Sequence, residues 1–243
     1  MISFLICAFN EEDNIEETYK TIINSLKLAK INNYQIVIVN DGSLDLTDEK
    51  IKKIVNYDNN VICETNQINL GYGNSFKRGL KLIKNERFMI VPGDNDLSEN
   101  TILSGLKNIE KADMVMMFPI NTDNRNKIRN IVSILYRLIY LIFFDCNVNY
   151  INSPCIYPTK KIKELNLHSK RFSIISEINT KLLLSNISYC EVPTFFSLSL
   201  RNRKTVTLKN LYDVTLSFLK LIIEIKIKNK SIYYEKSKRV NIY

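Results

Sequence analysis

Two carboxylates stand two residues apart in the run Gly93-Asp94-Asn95-Asp96-Leu97-Ser98. In extended chain, residues i and i+2 project to the same side, so Asp94 and Asp96 are placed to face one ion. Hard oxygen ligands suit Mg2+ or Mn2+, which keeps positions open for phosphate oxygens. Such an ion neutralises a departing diphosphate as a Lewis acid. A third carboxylate, Asp41, follows an apolar run and precedes Gly42-Ser43. At a sheet edge it can accept hydrogen bonds from a base or ribose. The alternative there is a helix start, with Ser43 or Asp45 as the cap. Asn69-Leu70-Gly71-Tyr72-Gly73 precedes a segment bearing Lys77 and Arg78, which offers backbone amides and cations to phosphates. It is neither a P-loop, since GxxxxGK[ST] is absent, nor GxGxxG, since the third glycine falls too far on at Gly79.

These residues need elements to position them. Ser3–Phe9, Gln35–Val39, Val61–Cys63, Phe88–Val91 and Met114–Phe118 read as short buried strands. Between them, Ile15, Tyr19, Ile22, Ile23 and Leu26 show helical spacing, as do Ile51, Ile54 and Val55, then Phe76, Leu80 and Ile83, then Ile102, Leu103, Leu106 and Ile109. Alternating strands and helices predict βαβ units and a mostly parallel α/β sheet. Ligands of such sheets bind beyond the carboxyl ends of the strands. Asn10-Glu11, Asp41-Gly42-Ser43 and Asp94-Asn95-Asp96 all follow strands, so acidic groups recur at that one end. Further on, Asn121–Asn130 reads as a basic loop, and Ile131–Phe144 is apolar but interrupted by Arg137. Asn152–Pro158 reads as irregular because of its two prolines, Arg171–Ser185 as a helix, and Ser188–Val192 as a strand running into Pro193. Thr207–Lys228 reads as a long amphipathic helix followed by a basic tail.

The order of the motifs says more than any one of them. Cys7-Ala8-Phe9-Asn10-Glu11, then Val39-Asn40-Asp41-Gly42-Ser43 with Asp45 and Thr47, then Asn69-Leu70-Gly71, then Asp94-Asn95-Asp96-Leu97-Ser98 resembles the family 2 glycosyltransferases of GT-A fold. The D-x-D-L-S form is most similar to the dolichyl- or polyprenyl-phosphate sugar transferase branch. The resemblance implies a GT-A, Rossmann-like domain over 1–205, with a nucleotide-sugar half (1–120) and an acceptor half (121–205), followed by an amphipathic helix and basic tail over 206–243. It implies that Ala8, Phe9 and Glu11 line the nucleotide pocket, that Asp41 contacts base or ribose, and that Gly71 gives backbone approach. Asp94 and Asp96 would hold Mg2+ or Mn2+ and the diphosphate, with Asp96 catalytic and Ser98 a further ligand. Arg129 and Ser133 match a region that receives an acceptor phosphate, and Arg201 with Lys204 match a basic segment after Glu191-Val192-Pro193. The implied reaction is inverting displacement on a nucleotide-diphospho sugar. A phosphate acceptor is already anionic at pH 7, whereas a sugar hydroxyl needs a base, for which Glu177 is the leading candidate. The family's first-motif proline is replaced by Cys7 and the first aspartate of its D-D-G-S by Asn40. These changes keep open a nucleotide-sugar-binding module without turnover, and the hydroxyl of a lipid-linked or surface glycan stays open as acceptor.

The 243 residues carry 34 Lys plus Arg against 25 Asp plus Glu, a formal charge of +9 that calls for an anionic partner. The single histidine, His168, argues against His-rich metal sites and His-based triads. Five cysteines without CxxC spacing argue against zinc ribbons and disulfide frameworks and fit a reducing compartment. The N-terminus lacks the basic region of a signal peptide. Ile131–Phe144 and Leu211–Ile227 are too short or too charged to span a bilayer, but fit its interface with Lys and Arg reaching headgroups. Core or dimer-contact helices, and so a homodimer, are the other reading. The expectation is a peripheral protein on the cytoplasmic membrane face, acting on polyprenyl phosphate. No nucleic-acid motif is present, and the positive excess is modest for that role.

Overall fold

The computed structural model describes residues 1–121, 127–196 and 208–242, with the backbone alone at 128, 129 and 208–211. The strands are β1 (Ile2–Ala8), β2 (Tyr34–Asn40), β3 (Val61–Thr65), β4 (Arg87–Pro92), β5 (Met114–Pro119), β6 (Cys155–Pro158), β7 (Ser188–Thr194) and β8 (Lys238–Arg239). The helices are α1 (Ile15–Leu28), α2 (Thr47–Tyr57), α3 (Tyr72–Leu82), α4 (Glu99–Lys107), α5 (Lys127–Phe144), α6 (Thr159–Glu164), α7 (Ile174–Leu183) and α8 (Leu208–Ile222), the last running into a π-helical turn, Ile223–Lys228.

The strands form one sheet in the order β3-β2-β1-β4-β6-β5-β7-β8. Every pairing is parallel except those of β6, which runs antiparallel to both β4 and β5. This is the α/β, mostly parallel architecture that the alternating periods predict. The segment 152–158, expected to be irregular, supplies β6 instead. Its short ladder pairs Phe88 with Tyr157 and Val115 with Ile156, and Pro158 stands at its end. A proline there interrupts no central ladder, which is why two prolines did not prevent a strand.

Successive residues of β1 point to opposite faces. Leu5 and Cys7 join Phe76 and Leu80 of α3, Ile178 and Leu182 of α7, and Leu221 of α8. Phe4 and Ile6 join Ile22 and Leu26 of α1, Ile51 of α2, and Ile102 and Leu106 of α4. Both faces are therefore covered, as a parallel sheet requires. The expected basic tail adds β8 to the sheet edge, where Lys238 N donates to Ile187 O (2.9 Å) and Val240 N to Tyr189 O (2.7 Å).

Candidate active site

Parallel pairing lines up the carboxyl ends of β2, β1 and β4. Asp41 N donates to Ala8 O (2.8 Å) and Gly93 N to Cys7 O (3.3 Å), so the residues after β2 and β4 flank the end of β1. Asp41 and Asp94 thus leave the same sheet edge on strands about 10 Å apart.

The loops at this edge are stitched by their own motif residues. Glu11 N donates to Thr47 Oγ1 (2.8 Å), Glu12 N to Asp45 Oδ2 (3.2 Å), and Leu46 N to Glu12 Oε2 (2.8 Å). Asp45 and Thr47 therefore tie the loop after β1 to the one after β2. Asn40, where the family usually carries aspartate, closes the turn: its Oδ1 accepts from Ser43 N (3.1 Å) and its Nδ2 donates to Asp48 (2.9 Å). The departure at Asn40 leaves the loop intact. Ala8 is buried, Phe9 is 41% exposed, and Glu11 is half-buried with Asn14 Nδ2 on its carboxylate at 2.7 Å.

Asp41 holds the neighbouring loop. It is buried, and its Oδ1 accepts from Asn66 Nδ2 (2.8 Å) and Leu70 N (2.9 Å) while Oδ2 accepts from Gly71 N (2.9 Å). Asp41 is a positioning residue that shapes the 66–71 loop. The amides expected to meet phosphate are used in the same way, since Gly73 N also donates, to Lys170 O (3.0 Å). Gly71 has φ +88°, and a Cβ there would sit 2.8 Å from Lys170 O, so two backbones meet where only glycine fits. The two α3 cations have protein partners: Arg78 holds Asn66 Oδ1 (2.6 Å) and Glu64, and Lys77 Nζ reaches Leu167 O (3.5 Å). Asn66, which also donates to Ser75 Oγ (2.9 Å), is a site residue that motif reading missed; its place directly after β3, at the same edge, was the available signal. Asp41→Asn leaves one acceptor oxygen and sets an NH2 against a donor. The expected cost is about 1–3 kcal/mol of stability. Donor nucleotide binding should weaken about tenfold or more. Thermal melting and calorimetric titration check both, and unchanged donor affinity would remove Asp41 from this role.

The Asp94–Asp96 pair is held by a turn rather than by strand alternation. Asp94 Oδ1 accepts from Asp96 N (3.1 Å), Asn95 has φ +55°, and Asn95 Oδ1 accepts from Thr21 Oγ1 (3.0 Å). Both carboxylates are half-buried. Among the described residues no three His, Cys, Asp or Glu side chains gather as a metal cage. Two hard carboxylates on one turn still fit Mg2+ or Mn2+, which usually takes one or two protein carboxylates and completes its shell with water and phosphate. Ser98 caps α4, accepting from Thr101 N (3.2 Å) and donating to Phe195 O (2.7 Å).

Residues 3–165 match the sequence profile described as Glycosyl transferase family 2. The chain belongs to the family 2 glycosyltransferases. It is 30% identical over 115 residues to an uncharacterized glycosyltransferase of Haemophilus influenzae, covering 47% of this chain and 34% of that one. It is 31% identical over 126 residues to poly-beta-1,6-N-acetyl-D-glucosamine synthase of Staphylococcus aureus, covering 52% and 29%. The match spans about a third of the length of these curated relatives. Among solved structures, S. aureus TarS 1–349 in complex with UDP superposes with a TM-score of 0.59 at 19% identity, over 94% of this chain and 65% of that one. Glucosyl-3-phosphoglycerate synthase of Mycobacterium tuberculosis, in complex with Mn2+, UDP and glucosyl-3-phosphoglycerate, gives 0.62 at 16% identity over 92% and 79%. At these identities the likeness is one of fold, and the fold is GT-A.

The remaining expected site residues of this family 2 member lie on α5 and α7 and beyond β7. Glu177, the leading candidate for a base, is engaged by protein groups. It is buried on α7, its oxygens accept from His168 N (2.9 Å) and Ser169 N (2.8 Å), and Lys181 Nζ pairs with it at 2.8 Å. Lys181, fully buried, also holds Glu224 at 2.7 Å, and His168 Nε2 lies 3.2 Å from the same carboxylate. This cluster fastens the 166–171 loop, whose backbone abuts Gly71 and Gly73, to α7 and to the turn after α8. Ser133 is half-buried on α5, and Arg129 lies on the same helix. Arg201 and Lys204 fall outside the described residues.

Burial alone would push the Glu177 carboxyl up, but the Lys181 ammonium and the His168 and Ser169 donors outweigh it and hold it below the ordinary 4.5. Asp58 is likewise held below 3.8: burial opposes, and the Asn60 amide with the Tyr34 and Tyr19 hydroxyls prevails. Depressed carboxyls contribute stability that is complete above their unfolded values and lost as pH falls through the folded ones. The melting temperature should therefore begin to fall as pH drops below 4.5, with Glu177→Gln losing part of that slope. Melts from about pH 6 to about pH 3 test this, and a slope unchanged by Glu177→Gln counts against it.

Proposed function

We propose that this chain transfers a sugar, with inversion, from a nucleotide-diphospho sugar to a polyprenyl phosphate on the cytoplasmic face of a membrane. The observation that carries the reading is the Asp94–Asp96 turn at the carboxyl edge of the sheet, beside the loops of β1 and β2. Relatives of the same fold bound to UDP, and in one case to Mn2+, support a nucleotide donor and a divalent ion. Asp94 and Asp96 would hold Mg2+ or Mn2+, which when bound neutralises the departing diphosphate. The exposed Phe9 ring and Glu11, at the end of β1, are the groups proposed to meet the nucleotide, on loops that Asp41, Asp45 and Thr47 keep in register. An acceptor phosphate oxygen forms the new bond to the anomeric carbon as the bond to the donor's β-phosphate oxygen breaks. The nucleoside diphosphate leaves with that electron pair.

Proton bookkeeping supports a phosphate acceptor. A hydroxyl must lose its proton to a base, and the expected base, Glu177, is engaged by one ammonium and two amides. A phosphate monoester needs none. The likeness to a poly-beta-1,6-N-acetyl-D-glucosamine synthase supports a second reading, transfer to a glycan hydroxyl. The deciding experiment presents UDP-, GDP- and dTDP-sugars with Mn2+ to short polyprenyl phosphates and, separately, to oligosaccharides, read by mass spectrometry. A glycosyl phosphoryl-lipid is the expected product. A glycosylated oligosaccharide supports the second reading, and donor binding without turnover leaves only the non-catalytic module.

A further inference from the structure

Helix α5 is turned inside out. Its inward face carries polar groups: the Tyr136 hydroxyl meets Ser176 Oγ at 2.9 Å and the Tyr140 hydroxyl meets the same atom at 3.1 Å. These bonds, and the burial of Tyr140 and Phe144, fix the helix's rotation. The outward face is then wholly aliphatic or aromatic from 131 to 143. Ile131, Ile134, Leu135, Leu138 and Ile142 are between 41% and 75% exposed. Helix α8 continues this surface. Its Phe218 meets Tyr140, Phe143 and Phe144 edge-on with centroids 5.2–5.6 Å apart, and Leu216, Leu219, Ile223 and Ile227 form an exposed stripe. Exposed apolar surface of this extent on a folded protein marks an interaction site.

We infer that the joined outer face of α5 and α8 lies flat in the interfacial region of an anionic lipid bilayer. This deepens the proposed function by naming the surface that meets the lipid. Charge selects the occupant. α5 contains no Asp or Glu. On α8 and its π-helical turn, Asp213 pairs with Arg171 (3.0 Å) and Glu224 is buried against Lys181. The charges exposed along the α8 stripe, Lys220, Lys226, Lys228 and Lys230, are positive, and Asp145, exposed just after α5, is paired with Lys236. A second copy of the chain would bring like charges together, whereas anionic headgroups complement them. Length selects the orientation. α5 is about 27 Å long, and among the described residues no helix is long and apolar enough to cross a membrane. A helix with one apolar face and cationic flanks lies in the interface plane. β5 and β7, the strands that precede α5 and α8 in the chain, run parallel to β4, so their carboxyl ends lie at the sheet edge that carries Asp94 and Asp96.

The test is flotation of the full chain with phosphatidylcholine vesicles, with and without phosphatidylglycerol. Binding is expected on the mixed vesicles, weaker on the neutral ones, and falling with salt. Leu135→Glu/Ile142→Glu should reduce it by at least about tenfold, the factor carried by one aliphatic side chain withdrawn from an apolar phase. Asp96→Ala should float as the wild type does, so loss of transfer and loss of docking are separable. The chain has no tryptophan, so Ile142→Trp supplies a single reporter whose emission should shift to the blue on mixed vesicles, independently of whether the double variant folds. A folded chain that floats with neither vesicle, an unshifted indole emission from the Ile142→Trp variant, or a dimer that Leu135→Glu/Ile142→Glu turns into a monomer would each overturn the inference.

Discussion

Asp96→Ala is expected to lower sugar transfer by about a hundred- to a thousand-fold, while the melting temperature stays close to that of the wild type. The two expectations have separate physical sources. The Asp96 backbone N–H, not its carboxylate, closes the turn with Asp94 Oδ1 at 3.1 Å, so the substitution keeps the turn. The carboxylate's contribution falls on the step in which negative charge builds on the leaving diphosphate, where a missing stabilising group acts on turnover. Asp94→Ala should lose activity as well, but it also removes the acceptor of that turn bond and so should cost stability. Steady-state turnover with Mn2+, paired with thermal melts, checks the contrast. An Asp96→Ala protein that turns over within a few-fold of wild type would detach the D-x-D turn from the chemistry.

The largest stability effect is expected at Lys181. Its ammonium is fully buried between Glu177 (2.8 Å) and Glu224 (2.7 Å). Lys181→Met removes the positive charge and leaves two carboxylates buried against each other. Breaking a buried pair from one side costs about 3–5 kcal/mol. For a domain of this size that corresponds to a drop of roughly 6–20 °C in melting temperature. The triple variant Lys181→Met/Glu177→Gln/Glu224→Gln should recover much of the loss, because no charge remains to be desolvated. If Lys181→Met melts with the wild type, the two carboxylates cannot both be ionised, and the account of Glu177 as a charged anchor fails. The 166–171 loop rests on this cluster and its backbone abuts Gly71, so the single variant should also weaken donor binding.

Much of this was legible in the chain itself. The alternation of buried β-branched runs with helical spacing determined the α/β class, because period alone decides which element can bury its apolar side. It also set the first five strands to within a residue or two. The order of Asn10-Glu11, Asp41-Gly42-Ser43, Gly71 and Asp94-Asn95-Asp96 determined the family and the sheet edge at which chemistry must lie. What the sequence left undecided needed neighbours distant along the chain. β6 becomes a strand only because β4 and β5 leave a gap that its few backbone groups can bridge. Asp41 and Glu177 look the same in sequence as carboxylates aimed at a substrate; only their partners show them holding loops. Nor does an apolar helix declare which face it turns inward. On α5 that was decided by the Tyr136 and Tyr140 hydroxyls finding Ser176, forty and thirty-six residues away. Local sequence fixes what a segment can bury, and tertiary packing fixes which of its polar groups find partners and therefore what is left to face solvent, substrate or lipid.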